Sequence, residues 1–443
     1  MKRALVMFHQ RRQRGAATLV VVMVLFLVMA LLAAYANRSL MFEQRISGSY
    51  YRASMAQEIA EGGVEWTVAM LNGTAIDDDC KAVAAGGTRF VEKYLNVSAT
   101  DRATSSKITT VPPPPAVDCS STGTGLVCRC PAPNTRTTQP STALAGALIP
   151  SFGLALGTDP VMHYGSLRVD GFGCTDSSVD SCSADTEERS QKAAAGSFQQ
   201  VAIAFIAAVP SSPAAPLTVK GNVLTSGAGG LGLHNTDPRS AGLLVVSSGP
   251  PPALNDDRMD SVPGTPADQA RAFNDTYLLD LVNLPSATNA NIKFFRNFMG
   301  MAPSRYANHP ASRAIACTAG GCGTDLVDAV NAGKRILTVR GPMSINADVT
   351  IGTVAAPVLI VVTGDVTIDG PMHLNGMLVV LGDLTWTNNS PGASQVTGMV
   401  VVQGDMHAIG RMDIVYQQSI ANELRNRLGS YARVSGGWMD GTN

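Results

Sequence analysis

The sequence is poor in charge and in aromatic rings. Asp, Glu, Lys and Arg make up 15% of 443 residues, and Phe, Trp and Tyr 5%. So low a charge content argues against salt-bridge-laced helical bundles, while plentiful Gly and Pro favour β-rich, loop-rich structure. The six histidines, at 9, 163, 234, 309, 373 and 407, are isolated from one another. No Gly-x-Ser-x-Gly elbow, His-Glu-x-x-His pair or phosphate-binding loop occurs, so no catalytic constellation is legible and no enzyme is expected. Acid is missing from residues 1–15, which hold Lys2, Arg3, Arg11, Arg12 and Arg14. With a whole-chain net charge of −1, the remainder is near −6. A polyanion-binding surface is not indicated by that balance, and no nucleic acid partner is expected.

What the chain does have is a 21-residue uncharged run, Ala16 to Ala36, directly after Gly15. At about 1.5 Å per residue it spans roughly 30 Å, the hydrocarbon thickness of a bilayer. The basic head stays cytoplasmic, so the rest is translocated. Ala33-Ala34-Tyr35-Ala36 could pass as a signal-peptidase site, but the run exceeds the usual apolar core of a signal peptide, and a retained helix is expected. From Asn37 the pattern becomes amphipathic. Leu40, Ile46, Met55, Ile59, Val64, Val68 and Leu71 form one stripe, with Asn72-Gly73 as a stop. Gly48 and Gly62-Gly63 are weak points at which the helix is expected to bend.

All eight cysteines lie past this run, which in an oxidising compartment reads as disulfides. Cys174 with Cys182 and Cys317 with Cys322 are expected as local pairs. Cys80, Cys119, Cys128 and Cys130 pair among themselves in one of three ways. Zinc at Cys119, Cys128 and Cys130 is the rival, but the spacing is unusual and no His is near. Asp176, Ser178, Asp180 and Glu187 fall at EF-hand-like offsets, a weak calcium possibility. Ser181 stands where such a loop needs Gly, so no cofactor or metal is expected. The run Asp77-Asp78-Asp79 reads as a solvated turn.

Residues 74–150 read as a loop-heavy region. Strand patterns follow at Tyr164–Phe172 and Phe198–Ala208. Further on, Val361-Val362-Thr363-Gly364-Asp365-Val366 is echoed by Val379-Val380-Leu381-Gly382-Asp383-Leu384 and Val401-Val402-Gln403-Gly404-Asp405-Met406. Leu337–Ile345, with Gly341, and Leu217–Val223 fit the same frame. A recurring Gly-Asp corner near every twentieth residue predicts a parallel β-solenoid, with a twisted antiparallel sheet as the alternative. Gly is expected to supply the corner conformation and Asp to bond the turn backbone. Repetition of Asp365, Asp383 and Asp405 at one corner speaks for turn formation rather than for glycan chemistry. Helices are expected within Asp268–Leu284, at Phe294–Met301 and at Gln417–Leu428. The aromatic helix at 294 would cap the solenoid side or form an interaction surface.

Arg14-Gly15 followed by Ala-Ala-Thr-Leu-Val resembles the leader and N-terminal helix of type IV pilins and type II secretion pseudopilins. Residues Arg38–Trp66, including Phe42-Glu43-Gln44-Arg45-Ile46-Ser47-Gly48 and Ala56-Gln57-Glu58-Ile59-Ala60-Glu61-Gly62-Gly63, are similar to PilX-type minor pilins. The resemblance implies cleavage after Gly15 by a prepilin peptidase and N-methylation of Ala16. It implies storage as a single-pass inner-membrane protein before assembly, then a place in a pilus or pseudopilus. Most major pilins carry Glu five residues past the cut, and here that position is Val20; subunits lacking it resemble those at filament tips. Expected partners are other minor and major pilins and a tip adhesin.

The resulting expectation is an α+β chain. A leader occupies 1–15, a pilin helix 16–72 and a disulfide-bonded, pilin-like antiparallel region 73–210. A solenoid-like domain occupies 211–443 with a helical insertion near 251–334. Its function would be that of a minor pilin at or near the tip, promoting assembly and displaying an adhesive or partner-binding domain. A GspK-like tip pseudopilin and a membrane-anchored solenoid glycan enzyme are the alternatives.

Overall fold

The computed structural model describes residues 14–83, 86–109, 117–121, 125–135, 149–157, 165–176, 182, 195–227, 230–266, 268–318 and 320–441. One helix runs unbroken from Arg14 to Leu71. The bend expected at the glycines is not a break: Gly62 and Gly63 stay helical, and the Thr67 hydroxyl donates to the Gly63 carbonyl at 2.8 Å. The stop falls where Asn72-Gly73 placed it.

The end of the helix lies against a six-stranded antiparallel sheet. Its spatial order is Gly429–Gly441, Gly196–Ala207, Ser166–Cys174, Ser151–Gly157, Val117–Ser121 and Leu126–Arg129. Both expected strands are present and pair with each other. The region read as loop-heavy contributes two more, pinned by Cys119–Cys128 across the pair and by Cys80–Cys130. The first strand in this order is a correction. The sequence places residues 429–441 in the C-terminal domain, yet they pair with Gly196–Ala207 and complete the antiparallel sheet. Backbone pairing is blind to sequence distance, so a strand far along the chain can complete the sheet.

The C-terminal body is β-rich and its ladders are parallel. The strands Ile336–Val339, Val358–Val362, the second half of Met372–Val380 and of Gln395–Val402, and then Leu217–Val219 and Val245–Ser247, lie side by side in one ladder. A second ladder stacks Met343–Ile345, Val366–Asp369, Leu384–Asn388, Met406–Gly410 and Val223–Ser226. The echoed segments are therefore parallel neighbours rather than hairpins. Between the ladders lies an apolar core that includes Leu337, Ile360, Leu378, Trp386, Val400 and Met406. The Trp386 indole N–H reaches the Ser394 hydroxyl at 3.1 Å, satisfying its one buried donor.

Spatial order departs from chain order. Leu217–Val219 stacks beyond Val400–Val402, so the first strand of this body sits next to its last echo. The chain then has to travel from that end to Ser312–Ile315 at the other, which pairs with Ile336–Val339. The helices Thr276–Val282 and Ala287–Met299 lie on this route. Phe294, Phe295 and Met299 are buried against Leu359, Val361, Met377, Val379, Met399 and Val401, the outward side chains of three successive strands. The aromatic helix is thus a cover for the stack. The expected insertion is only partly separate, because Met259–Ser261, Arg271–Ala272 and Ser312–Ile315 join the parallel sheet.

The glycines of the Gly-Asp echo do a different job from the one expected. Among Gly341, Gly364, Gly382 and Gly404, only Gly341 has positive φ, +87°. At Gly382 and Gly404 a Cβ would collide with the carboxylates of Asp365 and Asp383. Those carboxylates accept the next amide along the stack: Asp383 N–H donates to Asp365 at 2.9 Å, and Asp405 N–H to Asp383 at 2.8 Å. Asn222 N–H closes the series on Asp405 at 2.7 Å. Glycine is needed for space between neighbouring turns rather than for a special dihedral.

Candidate functional site

The long helix carries the candidate functional surface, and it divides into two parts. Every residue from Thr18 to Ser47 is exposed, including Leu25, Phe26, Leu31 and Leu32. Burying a Leu, Val or Phe side chain is worth about 1.5–3 kcal/mol. A run of this length and composition therefore requires an apolar surround. Among the described residues it is the one helix long and apolar enough to cross a membrane. Gly15 and Ala16 lie in the first turn, and residues 1–13 fall outside the described part. Val20 is exposed within the apolar run.

The second part docks. Ala56, Ala60, Gly63, Val64, Thr67 and Leu71 are buried at three- and four-residue spacing. The expected stripe is right at Val64 and Leu71, partly so at Met55, Ile59 and Val68, and wrong at Leu40 and Ile46, which are exposed. Its deepest members are small residues that a search for large apolar side chains passes over. They face glycines of the Ser166–Cys174 strand. A Cβ on Gly173 would strike the Ala56 carbonyl, and one on Gly171 would come within 2.8 Å of Val64. Gly63 in turn leaves room for Phe152. Glycine at alternate strand positions marks close backbone approach, so Gly171-Phe172-Gly173 was a readable signal. Trp66 closes one side, its ring centroid 6.0 Å from Phe90 and 5.9 Å from Phe152.

The helix terminus is fixed at Asn72 by partners the sequence did not single out, Tyr431, Arg313 and Arg433. Asn72 Nδ2 donates to the carbonyls of Val68 at 2.8 Å and Tyr431 at 2.9 Å, and its carbonyl accepts from Arg313 at 3.2 Å. Arg433 pairs with Glu65 at 3.0 Å. The C-terminal strand therefore clamps the helix end by hydrogen bonds and charge.

The other expected sites resolve as follows. The four disulfides are Cys80–Cys130, Cys119–Cys128, Cys174–Cys182 and Cys317–Cys322. The three sulfurs that zinc would need are thus all in disulfides, Cys119 with Cys128 and Cys130 with Cys80. In the Asp77–Asp79 turn, Asp78 pairs with Lys93 at 2.6 Å, and the hydrogen bond from Lys93 holds its carboxyl below the usual range. Asp79 pairs with Arg129, and Asp77 accepts the amides of Asp79 and Lys81. Of the calcium candidates, Asp176 is described, while Asp180 and Glu187 lie outside the described residues. Among the described residues no three His, Cys, Asp or Glu side chains group to hold a metal. Asp365, Asp383 and Asp405 line one corner, where their carboxylates hold neighbouring turns together.

Residues 14–65 match the family model described as PilX N-terminal. No curated protein and no solved structure matches the chain. The match covers the apolar run and most of the docking segment, so the N-terminal region is of PilX pilin type and supports a role related to type IV pili. That family is structural rather than enzymatic, and it points to other pilus components as partners. A single N-terminal apolar helix fits a pilin anchored in the inner membrane.

Proposed function

We propose that this chain is a minor pilin of a type IV pilus. In this reading a prepilin peptidase cuts after Gly15 and Ala16 becomes the methylated N-terminus. The subunit then leaves the inner membrane for a place at or near the filament tip, outside the cytoplasm. The observation that carries the reading is the division of one unbroken helix. Residues 18–47 are wholly exposed, and residues 56–71 are locked onto a folded body by small-residue packing. An anchor alone needs only the first part. A rigid, body-bearing helix suits a subunit whose neighbours bury the same apolar surface that lipid covered before assembly.

The body at the far end of the helix is read as a parallel solenoid, displayed to other minor pilins, major pilins, an adhesin or a surface. Val20 supports the tip placement, because no acid at that position is offered to the N-terminal ammonium of a neighbouring subunit. Mass spectrometry of the mature N-terminus tests the processing step. Methylated Ala16 is expected, and a start at Met1 or Asn37 overturns it. Deleting the gene should reduce filament number; a strain with normal filaments that has lost cleavage of a polysaccharide would contradict the assembly role.

A further inference from the structure

A cleft of about 430 Å³ opens where three parts of the chain meet. Arg89, Glu92 and Lys107 come from the segment after the long helix, Arg335 from the start of a parallel strand, and Glu423 and Arg427 from the helix Gln418–Asn426 and its C-cap. In a chain of net negative charge these six groups sum to a positive wall.

Two of the four cations are matched by carboxylates. Arg427 meets Glu423 at 2.7 Å and Arg89 meets Glu92 at 3.9 Å. The other two donate hydrogen bonds to neutral carbonyls among the described residues. Arg335 Nε donates to the Pro357 carbonyl at 3.1 Å, and Lys107 Nζ donates to the Glu92 carbonyl. Arg335 Nη2 is buried and donates to no acceptor among the described residues. Burial, and then repulsion from Arg89, push the Arg335 pKa down to about 10, still far above neutrality. Its charge is therefore present and desolvated, and the carboxylates of Glu92 and Glu423 offset it only in part. A buried donor without an acceptor is costly, and guanidinium forks match tetrahedral oxyanions well.

We propose that this cleft binds a dianionic oxyanion, a phosphate or sulfate group, gripped by Arg335 and Arg89 with Lys107 and Arg427 at its rim. Four cations against two carboxylates leave an excess of two positive charges, which matches a dianion. The volume exceeds that of a bare phosphate and lies in the range of small-molecule sites, so the group can be a substituent on a compact ligand. Because the walls come from three separate segments, bound ligand ties together the segment after the long helix, the parallel part and the helix Gln418–Asn426.

The test uses the full chain in zwitterionic detergent, with sodium phosphate, sodium sulfate and glucose 6-phosphate titrated at an ionic strength fixed by chloride. A saturable rise in Tm and saturable heat in calorimetry are expected for phosphate and sulfate over chloride. Arg335→Gln should weaken binding at least tenfold and Lys107→Gln severalfold. Arg239→Gln, at an exposed arginine paired with Asp237, should leave binding unchanged. Equal affinity for phosphate and hexose phosphate assigns a free ion, and tighter hexose phosphate assigns a substituent. No saturable response to any of the three, or binding unchanged in Lys107→Gln and in a folded Arg335→Gln, overturns the proposal. Should Arg335→Gln not fold, the Lys107 variant decides alone.

Discussion

Asn72 and Tyr431 lie 359 positions apart and exchange two hydrogen bonds. Asn72 Nδ2 donates to the Tyr431 carbonyl at 2.9 Å, and the Tyr431 amide donates to Asn72 Oδ1 at 2.8 Å. The side chain of one residue thus imitates a strand partner for the other, at the point where the long helix stops. This couples the orientation of the helix to the C-terminal strand. Replacing Asn72 by Ala strands a partly buried amide and carbonyl of Tyr431. The expected cost is about 1–3 kcal/mol, read as a lower urea midpoint at unchanged m. Asn72→Asp keeps the acceptor and loses the donor, so it should fall between wild type and Asn72→Ala.

The helix–sheet contact predicts opposite outcomes for two glycines. At Gly173 an added methyl meets the backbone of Ala56 and Ala60, which cannot move without lifting the helix. Gly173→Ala should destabilise by about 1–3 kcal/mol or more. At Gly62 nothing lies within 4 Å of the added carbon, and the residue is helical. Gly62→Ala should stabilise by up to about 1 kcal/mol. Thermal unfolding of both variants in the same detergent checks the pair. A neutral Gly173→Ala would mean that the helix does not pack this closely.

The carboxylate series predicts a structural rather than a chemical phenotype. Asp383→Ala leaves the Asp405 amide without its acceptor and should cost about 1 kcal/mol. Asp383→Asn retains an oxygen and lowers the negative charge of the corner, so it should cost less. Denaturation midpoints in the order wild type, Asn, Ala are expected, and a reversed order would argue against the hydrogen-bonded ladder.

Stability should depend on pH through His234. Its Nε2 meets Asp413 at 3.1 Å and its Nδ1 meets Asp260 at 2.7 Å. The Asp413 hydrogen bond raises its pKa above 6.5, partial burial opposes this, and Asp260 adds to the rise. A raised folded value means that protonation favours the folded state. The contribution is complete below about pH 6.5 and is lost as pH climbs through the higher folded value. Tm measured across this window should fall with rising pH, and His234→Gln should flatten that slope.

Tip placement rests on Val20. If the proposed cut after Gly15 and tip placement are right, Val20→Glu puts an acid five residues past that cut and should move labelled subunits from the filament tip into the shaft, as seen by immunogold microscopy. Unchanged placement would separate the position of the subunit from this residue.

Much of the local structure could be read directly. An uncharged run of bilayer length has few physical outcomes, and 3.6-residue and two-residue periodicities marked the helix and the two central antiparallel strands. The Gly-Asp echoes gave the parallel pairing because each segment carries the same alternation. Cys174–Cys182 and Cys317–Cys322 followed from short separation. The Cys80–Cys130 and Cys119–Cys128 pairing was one of three open choices.

The sequence by itself determined the elements whose cause is local: the apolar run after Gly15, the stop at Asn72-Gly73 and the recurring turns at Asp365, Asp383 and Asp405. Tertiary structure alone decided three things. It set Leu217–Val219 beyond Val400–Val402, brought Gly429–Gly441 back beside Gly196–Ala207, and gathered Arg89, Arg335 and Arg427 around one cleft. Each depends on contacts between segments far apart in the chain. Side-chain alternation says which face of a strand is buried, but not which of several compatible strands lies beside it. That choice is made by the space left between packed elements, as the glycines opposite Ala56 and Ala60 show.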